Sequence, residues 1–323
     1  MLVKELKNTI DKYKKDEKDK IIIELYKRIP KSIKEEYDID NFIINFRENK
    51  KITKEEKIIT ISELKHEITS FIDCANKGLY SSPNKVISKS ERSKWRFKVI
   101  RFYKELNSFK PDSEDGIIAT DLLKDLFFLL SHGSCYLLFT NWETFRAIRI
   151  SQDAFLETIM KRKLACGASK DNLKYCTNLL HINYDPYGYH VDVLNAFASC
   201  LKTTDVKYMA IDLLKESVLE LNNKVKTLKK EKKGYYNEKE LNNYIVECIM
   251  IIYVSLSETS EAINYYHKYY VETFQEIKEF ILLNFLDNRE LYKDFIIEYE
   301  KHLGKISYRD SLKERYEELK RIQ

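Results

Sequence analysis

The sequence predicts an all-α protein of stacked antiparallel helices, and three observations support this fold class. The chain has only 7 Gly and 4 Pro among 323 residues, too few for the many turns of a sandwich, barrel or doubly wound sheet. Apolar residues recur at every third or fourth position, as in amphipathic helices. Charged residues make up 33%, so each helix can expose a polar face while burying an apolar one.

Two highly charged stretches divide the chain into three predicted segments. Residues 47–57 are almost all charged, and residues 224–233 form a lysine-rich run that leads into Gly234. Runs of this kind are typical of boundaries between packed regions. We therefore predict an N-terminal helical segment at 1–58, a central helical domain at 59–233 and an aromatic-rich helical domain at 234–323.

The first 110 residues contain several helix signals. A charged interruption at 14–20 and Pro30 predict two short helices before residue 30, or one frayed helix. Capping boxes formed by Thr60 with Glu63 and by Ser88 with Glu91 predict helix starts near 61 and 89. A further amphipathic helix is expected over 91–109.

The central helices are predicted from apolar spacing and from glycine. The most apolar helix covers 117–130, and Gly133 is expected to take the left-handed position that ends it. Helix pairs at 151–181 and 191–228 follow one another with a spacing that is typical of HEAT-like arrays. An irregular multi-helix bundle is the open alternative, because short connections suit both arrangements. Residues 241–322 complete the chain as further helices.

A turn at 181–192 brings together the residue types that could perform catalysis. The sequence Asp185-Pro186-Tyr187-Gly188 is a turn signature between two helices. His181, Asp185, His190 and Asp192 surround it and are the candidates for acid-base chemistry or metal binding. Alternatively, Asp185 caps the turn, and His190 and Asp192 satisfy the first-turn amides of the following helix. Because the fixed ligand spacing of zinc and iron sites is absent, no metal or cofactor is predicted.

The remaining motif search also argues against an enzyme. His66-Glu67 lacks the second histidine of H-E-x-x-H, and no phosphate-binding glycine loop or nucleophile elbow occurs. His132 and Cys135 have a zinc-like spacing without a second close pair, so an interaction of His132 with a helix C-terminus is favoured.

Residues 85–110 form a basic stretch interleaved with aromatic residues, which is one mode of binding a phosphate backbone. The candidate contacts are Lys89, Arg92, Arg96, Arg101 and Lys104. The alternative is an amphipathic helix with a lysine-rich exposed face and with Trp95 and Phe102 in the core. The modest net charge of +5 favours this alternative.

A tyrosine cluster near residue 267 is the candidate for partner binding. It consists of Tyr265, Tyr266, Tyr269 and Tyr270. Packing within the core is the first interpretation, and a groove that binds a partner is the second.

The sequence favours a cytoplasmic location without membrane association. Its six cysteines include no C-x-x-C pair and lie mostly among apolar residues, as reduced thiols do. No signal-peptide pattern or membrane-spanning stretch is found. The expected partners are another protein or a second copy of this chain, with nucleic acid as the alternative.

Two stretches resemble bacterial all-helical proteins that have no established activity. They are LKNTIDKYKKDEKDKIIIELYKRIPKSIKEEYDI at 6–39 and SERSKWRFKVIRFYKEL at 90–106. The resemblance covers about a fifth of the chain at low motif specificity, and it implies a helical fold without assigning any functional residue.

The favoured function is therefore a non-catalytic protein-binding or scaffolding module. A nucleic-acid-binding protein that uses the 85–110 stretch is the second hypothesis. A metal-dependent hydrolase centred on the 181–192 turn is the third.

Overall fold

A computed structural model describes residues 3–36, 38–44, 60–181 and 190–322. These residues form helices and no strand, which confirms the all-α prediction. The chain divides into two compact units, Met1–Ile59 and Thr60–Gln323. No helix within the described ranges is long and apolar enough to cross a membrane.

The described helices are numbered here in chain order. The first unit contains α1 (Val3–Ile10), α2 (Lys15–Arg28), α3 (Lys31–Glu36) and α4 (Ile39–Ile44). The second unit begins with α5 (Ile61–Asn76), α6 (Lys89–Arg92), α7 (Trp95–Ser108), α8 (Glu114–Cys135), α9 (Thr144–Ile148), α10 (Gln152–Ala165) and α11 (Lys170–Asn178). It continues with α12 (His190–Cys200), α13 (Thr204–Lys230), α14 (Tyr236–Val254), α15 (Thr259–Tyr269), α16 (Gln275–Asp287), α17 (Tyr292–Lys301) and α18 (Asp310–Ile322).

Two helices, α1 and α2, precede Pro30, which is one of the two alternatives that the sequence predicts. The backbone amide of Lys14 donates to the Glu17 carboxylate at 2.8 Å and caps the start of α2, which begins at Lys15 inside the charged stretch 14–20. The phenol of Tyr26 donates to Asp40, and Lys34 lies 3.8 Å from the centre of the Tyr26 ring. These contacts join α2 to α3 and α4.

Helix α8 is the buried centre of the first half of the second unit. It packs against α5, α7, α9 and α10. Its buried residues surround the axis and include Leu123, Phe127 and Leu130. A helix that is apolar on most faces must be covered by other helices, which explains the ring of neighbours around α8.

Helix α14 has the same role in the second half. It packs against α12, α13 and α15, while α10 contacts α12 and α11 contacts α13. The regions on either side of Gly234 thus lie in one unit, where α13 and α14 pack along each other. A HEAT-like repeat of these helix pairs stays a prediction.

One predicted cap is confirmed and one predicted helix end is wrong. Thr60 and Glu63 form the reciprocal capping box at the start of α5. In contrast, α8 does not end at Gly133 but runs to Cys135. A Cβ at position 133 would lie 3.0 Å from the Phe139 ring and 3.2 Å from the Thr144 methyl group. Close packing, and not a left-handed conformation, therefore explains this glycine.

Arg162 connects three helices through backbone carbonyls. Its side chain is 6% exposed and donates to the Thr120 hydroxyl at 3.1 Å, the Phe109 carbonyl at 3.0 Å and the Gly116 carbonyl at 3.2 Å. These bonds attach α10 to the end of α7 and to the first turns of α8. A buried guanidinium with these partners is costly to remove, since the carbonyls would lose their donors.

Replacing Gly116 by alanine should destabilise the second unit by ~3 kcal/mol, the upper part of the usual overpacking range. The new Cβ would lie 1.7 Å from the Lys110 carbonyl oxygen, so the backbone before α8 must move. Urea unfolding, followed by circular dichroism, measures the decrease in the free energy of unfolding. The control is Gly234→Ala, whose Cβ meets no atom within 4 Å and should change the stability by less than ~0.5 kcal/mol. Equal effects of the two variants would contradict the steric argument.

Candidate functional site

A cavity of about 1000 Å³ lies among the helices of the second unit. Helix α14 and the segment from α16 to Arg289 supply most of its wall, and α12, the end of α8, the end of α15 and His181 supply the rest. Pockets that bind small ligands usually measure roughly 300–1000 Å³. This cavity lies at the upper end of that range and is the candidate functional site.

One face of α14 supplies the polar part of the wall. Glu240, Asn243, Tyr244 and Glu247 all line the cavity and follow one another at spacings of three, one and three residues. These spacings place their side chains on one side of a helix. The other faces of α14 are buried by apolar residues such as Ile245, so the helix is fixed and presents this polar row to the cavity.

The connection between α15 and α16 is held by asparagine side chains from α14. The Asn243 amide donates to the Val271 carbonyl at 3.0 Å and accepts from the Val271 backbone amide at 2.9 Å. Asn242 donates to the Tyr269 carbonyl at 3.0 Å. Both asparagines are buried, and their bonds satisfy backbone groups that the end of α15 leaves open.

An ion pair supports the same connection. Lys239 contacts Glu272 at 2.7 Å, and their side chains are only 19% and 12% exposed. Burial by itself would raise the pKa of Glu272, but Lys239 and the backbone amides of Thr273 and Phe274 together lower that pKa. The carboxylate thus stays ionised and ties the start of α14 to the connection.

Two of the four predicted tyrosines line the cavity. The rings of Tyr266 and Tyr270 stack with their centres 4.4 Å apart, and both residues belong to the wall. The Tyr266 hydroxyl donates to the Lys278 carbonyl at 2.7 Å. The rings of Tyr265 and Tyr269 are tilted against each other with their centres 4.6 Å apart, and neither residue lines the cavity. The structure therefore separates the cluster into a cavity pair and a packing pair.

Charged groups of both signs line the cavity. Burial raises the pKa of Tyr270, and the carboxylates of Glu247 and Glu240 raise it further. Across the wall, burial lowers the pKa of the Arg289 guanidinium, an effect that Glu247 opposes. The Arg289 guanidinium donates to the Asn195 side-chain oxygen at 2.9 Å and lies 4.4 Å from the centre of the Phe285 ring.

No protein-family model, curated protein or solved structure matches this chain. Its function is therefore inferred from the cavity and the charged surfaces.

The structure describes the side chains of two of the four residues in the predicted 181–192 cluster. His181 lines the cavity, and burial lowers its pKa while Glu220 opposes that shift. Asp192 is exposed on α12 and outside the lining. Asp185 and the side chain of His190 lie outside the described residues.

The described ranges contain no group of three or more His, Cys, Asp or Glu side chains arranged to hold a metal ion. His132 lies against Tyr136, with ring centres 4.5 Å apart, near the end of α8. The hydrolase hypothesis stays a prediction.

Two of the basic candidates make contacts within the protein, and the other three are exposed. Arg92 donates to the carbonyls of Ile87 at 3.0 Å and Asn84 at 3.2 Å, and Arg101 pairs with Glu67. Lys89, Arg96 and Lys104 are exposed. Two of the five candidates are thus engaged in holding the fold.

The aromatic residues of the basic stretch divide in the same way. Trp95 and Phe102 are buried, as the packing interpretation predicts. Phe97 is 58% exposed, and Arg96 lies 4.8 Å from the centre of its ring.

Sequence reasoning missed the polar face of α14 and the arginine opposite it. A signal for the first exists, because Glu247 is the one charged residue in the mostly apolar run at 241–256. A charge inside such a run indicates either an interior partner or a cavity. No comparable signal marks Arg289, whose surroundings come from helices far apart in the chain.

The two cavity tyrosines should make the protein sensitive to alkaline pH. Their folded pKa values are raised above the ordinary 10.0 by burial, so their contribution to stability is complete below pH ~10 and is lost as the pH rises through the folded values. The free energy of unfolding should therefore decrease above pH ~10, and less steeply in Tyr270→Phe.

Chemical denaturation at a series of pH values measures this slope. Tyr236→Phe is the matched control, because it removes a cavity phenol that is 70% exposed. If Tyr270→Phe and Tyr236→Phe give the same slope as the parent chain, the burial of Tyr270 does not govern the pH response.

Proposed function

We propose that this chain is a non-catalytic helical module that binds a segment of a partner protein in the cavity of its second unit. The observation that supports the proposal is the composition of the wall. Tyrosine rings, asparagine amides and charges of both signs line it together with apolar residues such as Leu194 and Phe285. Tyrosine and asparagine are the residues that recognition surfaces use for rigid contact area and adaptable hydrogen bonds.

Hydrogen bonds and an ion pair hold the cavity wall in place, which favours binding with little rearrangement of the protein. Asn243 holds the connection next to Tyr270 through two hydrogen bonds, and Lys239 holds Glu272. A wall that is ordered before binding avoids part of the entropy cost of association. The Asn237 amide and the Glu240 carboxylate on α14 also line the cavity and supply a donor and acceptors for the backbone groups of a peptide.

Selection from a displayed peptide library, followed by fluorescence anisotropy with the selected peptides, tests this function. Tyr236→Ala and Glu240→Ala should each weaken binding about tenfold, which corresponds to ~1.4 kcal/mol. Both residues line the cavity, and neither forms a hydrogen bond that holds the α15–α16 connection.

Glu216→Ala is the matched control, since Glu216 is exposed on α13 and outside the lining. Affinity that is the same in all three variants would place binding elsewhere. A library that gives no specific peptide would refute the proposal.

Nucleic-acid binding is the second candidate, and one observation favours it. Arg96 and Phe97 are both exposed and lie against each other at the start of α7, with Lys89 and Lys104 exposed on the same stretch. An exposed ring beside a guanidinium can stack on a base while the cation contacts a phosphate.

Titration of a fluorescent single-stranded oligonucleotide over a series of salt concentrations tests this alternative. If it holds, affinity should decrease linearly with the logarithm of salt concentration, and Arg96→Gln with Phe97→Ala should reduce both affinity and slope. Arg146→Gln is the control, because Arg146 is 82% exposed outside this stretch. No binding at low salt would exclude the alternative.

A further inference from the structure

Arg289 lies in the cavity wall without a carboxylate partner among the described residues. Its guanidinium donates one hydrogen bond, to Asn195, and stacks on Phe285. A guanidinium has five N–H donors, so most of its donors are not used by the described part of the chain. Other arginines differ: Arg315, for example, pairs with Asp287 at 2.9 Å.

Two asparagines extend the same wall. Asn284 lies in the last turn of α16, Asn288 is the residue that follows the helix as its C-cap, and both line the cavity with Arg289. Neither side-chain amide hydrogen-bonds to another described residue, whereas Asn242 and Asn243 are fully engaged. Residues four apart on a helix are neighbours on its surface, so these amides can donate to a group that the guanidinium holds.

The surroundings of Arg289 favour an anion over water alone. The guanidinium is partly buried, and this burial lowers its pKa, which means that the charge has lost part of its hydration. A partly desolvated charge is stabilised by an opposite charge with matching hydrogen-bond geometry. The planar fork of arginine matches the oxygen pairs of carboxylates and phosphates.

We propose that Arg289, Asn284 and Asn288 form an oxyanion subsite of the cavity, which binds a carboxylate or phosphate group of the ligand. Asn195 is a positioning residue that holds the guanidinium toward the cavity. This inference rests on the proposed function, because it names the chemical group that a bound segment places at the α16 end of the site.

Nuclear magnetic resonance titration of the full chain tests the subsite with two probes, sodium acetate and inorganic phosphate. Sodium chloride keeps the ionic strength constant. The side-chain N–H signal of Arg289 is assigned by its absence in Arg289→Gln. This signal and the amide signals of Asn284 and Asn288 should shift saturably with at least one probe. A response to acetate alone, to phosphate alone or to both identifies which oxyanion the subsite accepts.

Two variants and a control separate specific binding from general salt effects. Asn195→Asp places a carboxylate where the guanidinium already donates and should reduce the apparent affinity for the probe at least tenfold. Arg289→Gln should abolish the saturable shifts of both asparagines. Arg309→Gln should leave them unchanged, because Arg309 stacks on Phe280 at 4.1 Å outside the cavity.

The results distinguish this inference from the proposed function. Shifts that do not saturate, or that persist in Asn195→Asp and Arg289→Gln, would overturn the oxyanion subsite. In that case, peptide affinity that depends on Tyr236 and Glu240 would still support the binding function. Saturable anion shifts without any selected peptide would support the subsite and refute the peptide-binding proposal.

Discussion

The paired hydrogen bonds between the Asn243 side chain and the backbone of Val271 are the contact on which the cavity depends. A helix end leaves carbonyl groups without partners, and a following irregular stretch leaves further amides open. Here the end of α15 and the chain up to α16 are closed by Asn242 and Asn243 from the buried helix α14. The position of Tyr270 and the start of α16 therefore follow from polar groups inside the core. An apolar residue at 243 would fill the space but leave the half-buried backbone amide and carbonyl of Val271 without these partners.

In the other half of the second unit, a charged side chain supplies the partners for backbone groups at the helix ends. Arg162 donates to two backbone carbonyls and one hydroxyl near the start of α8, where Gly116 allows the chain to pass closely. In both halves a nearly buried helix lies at the centre, and a buried polar side chain connects helix ends to their neighbours. Such bonds are directional, so they fix the relative position of helices more narrowly than apolar contact does. The fold thus combines a non-directional apolar core with a few directional contacts at its helix ends.

The sequence predicts the local features of this protein well and the cavity poorly, for a physical reason. Apolar spacing and the Thr60 capping box depend on residues within one or two turns, and the structure confirms them. Gly133 was predicted to end a helix, but its neighbours Phe139 and Thr144 come from the chain that folds back on α8, and no local pattern shows that approach. The cavity likewise combines Asn195, Glu247 and Arg289, which are separated by about 50 and 40 residues. Only Glu247 left a signal, as a charge within an apolar run.

The separation of opposite charges in the cavity has a consequence for specificity. Arg289 is held by Asn195 and Phe285 and forms no ion pair with Glu247, although the two are close enough to influence each other electrostatically. An internal pair would neutralise the wall and leave a surface that accepts many apolar segments. In the proposed binding function, the partly buried Arg289 guanidinium requires an anionic group of the ligand at the matching position, because a segment without one would leave this partly desolvated charge unpaired. That penalty rejects wrong partners more effectively than an extra apolar contact selects the right one. In the proposed function, the arrangement of the wall therefore favours selective recognition over strong but unspecific binding.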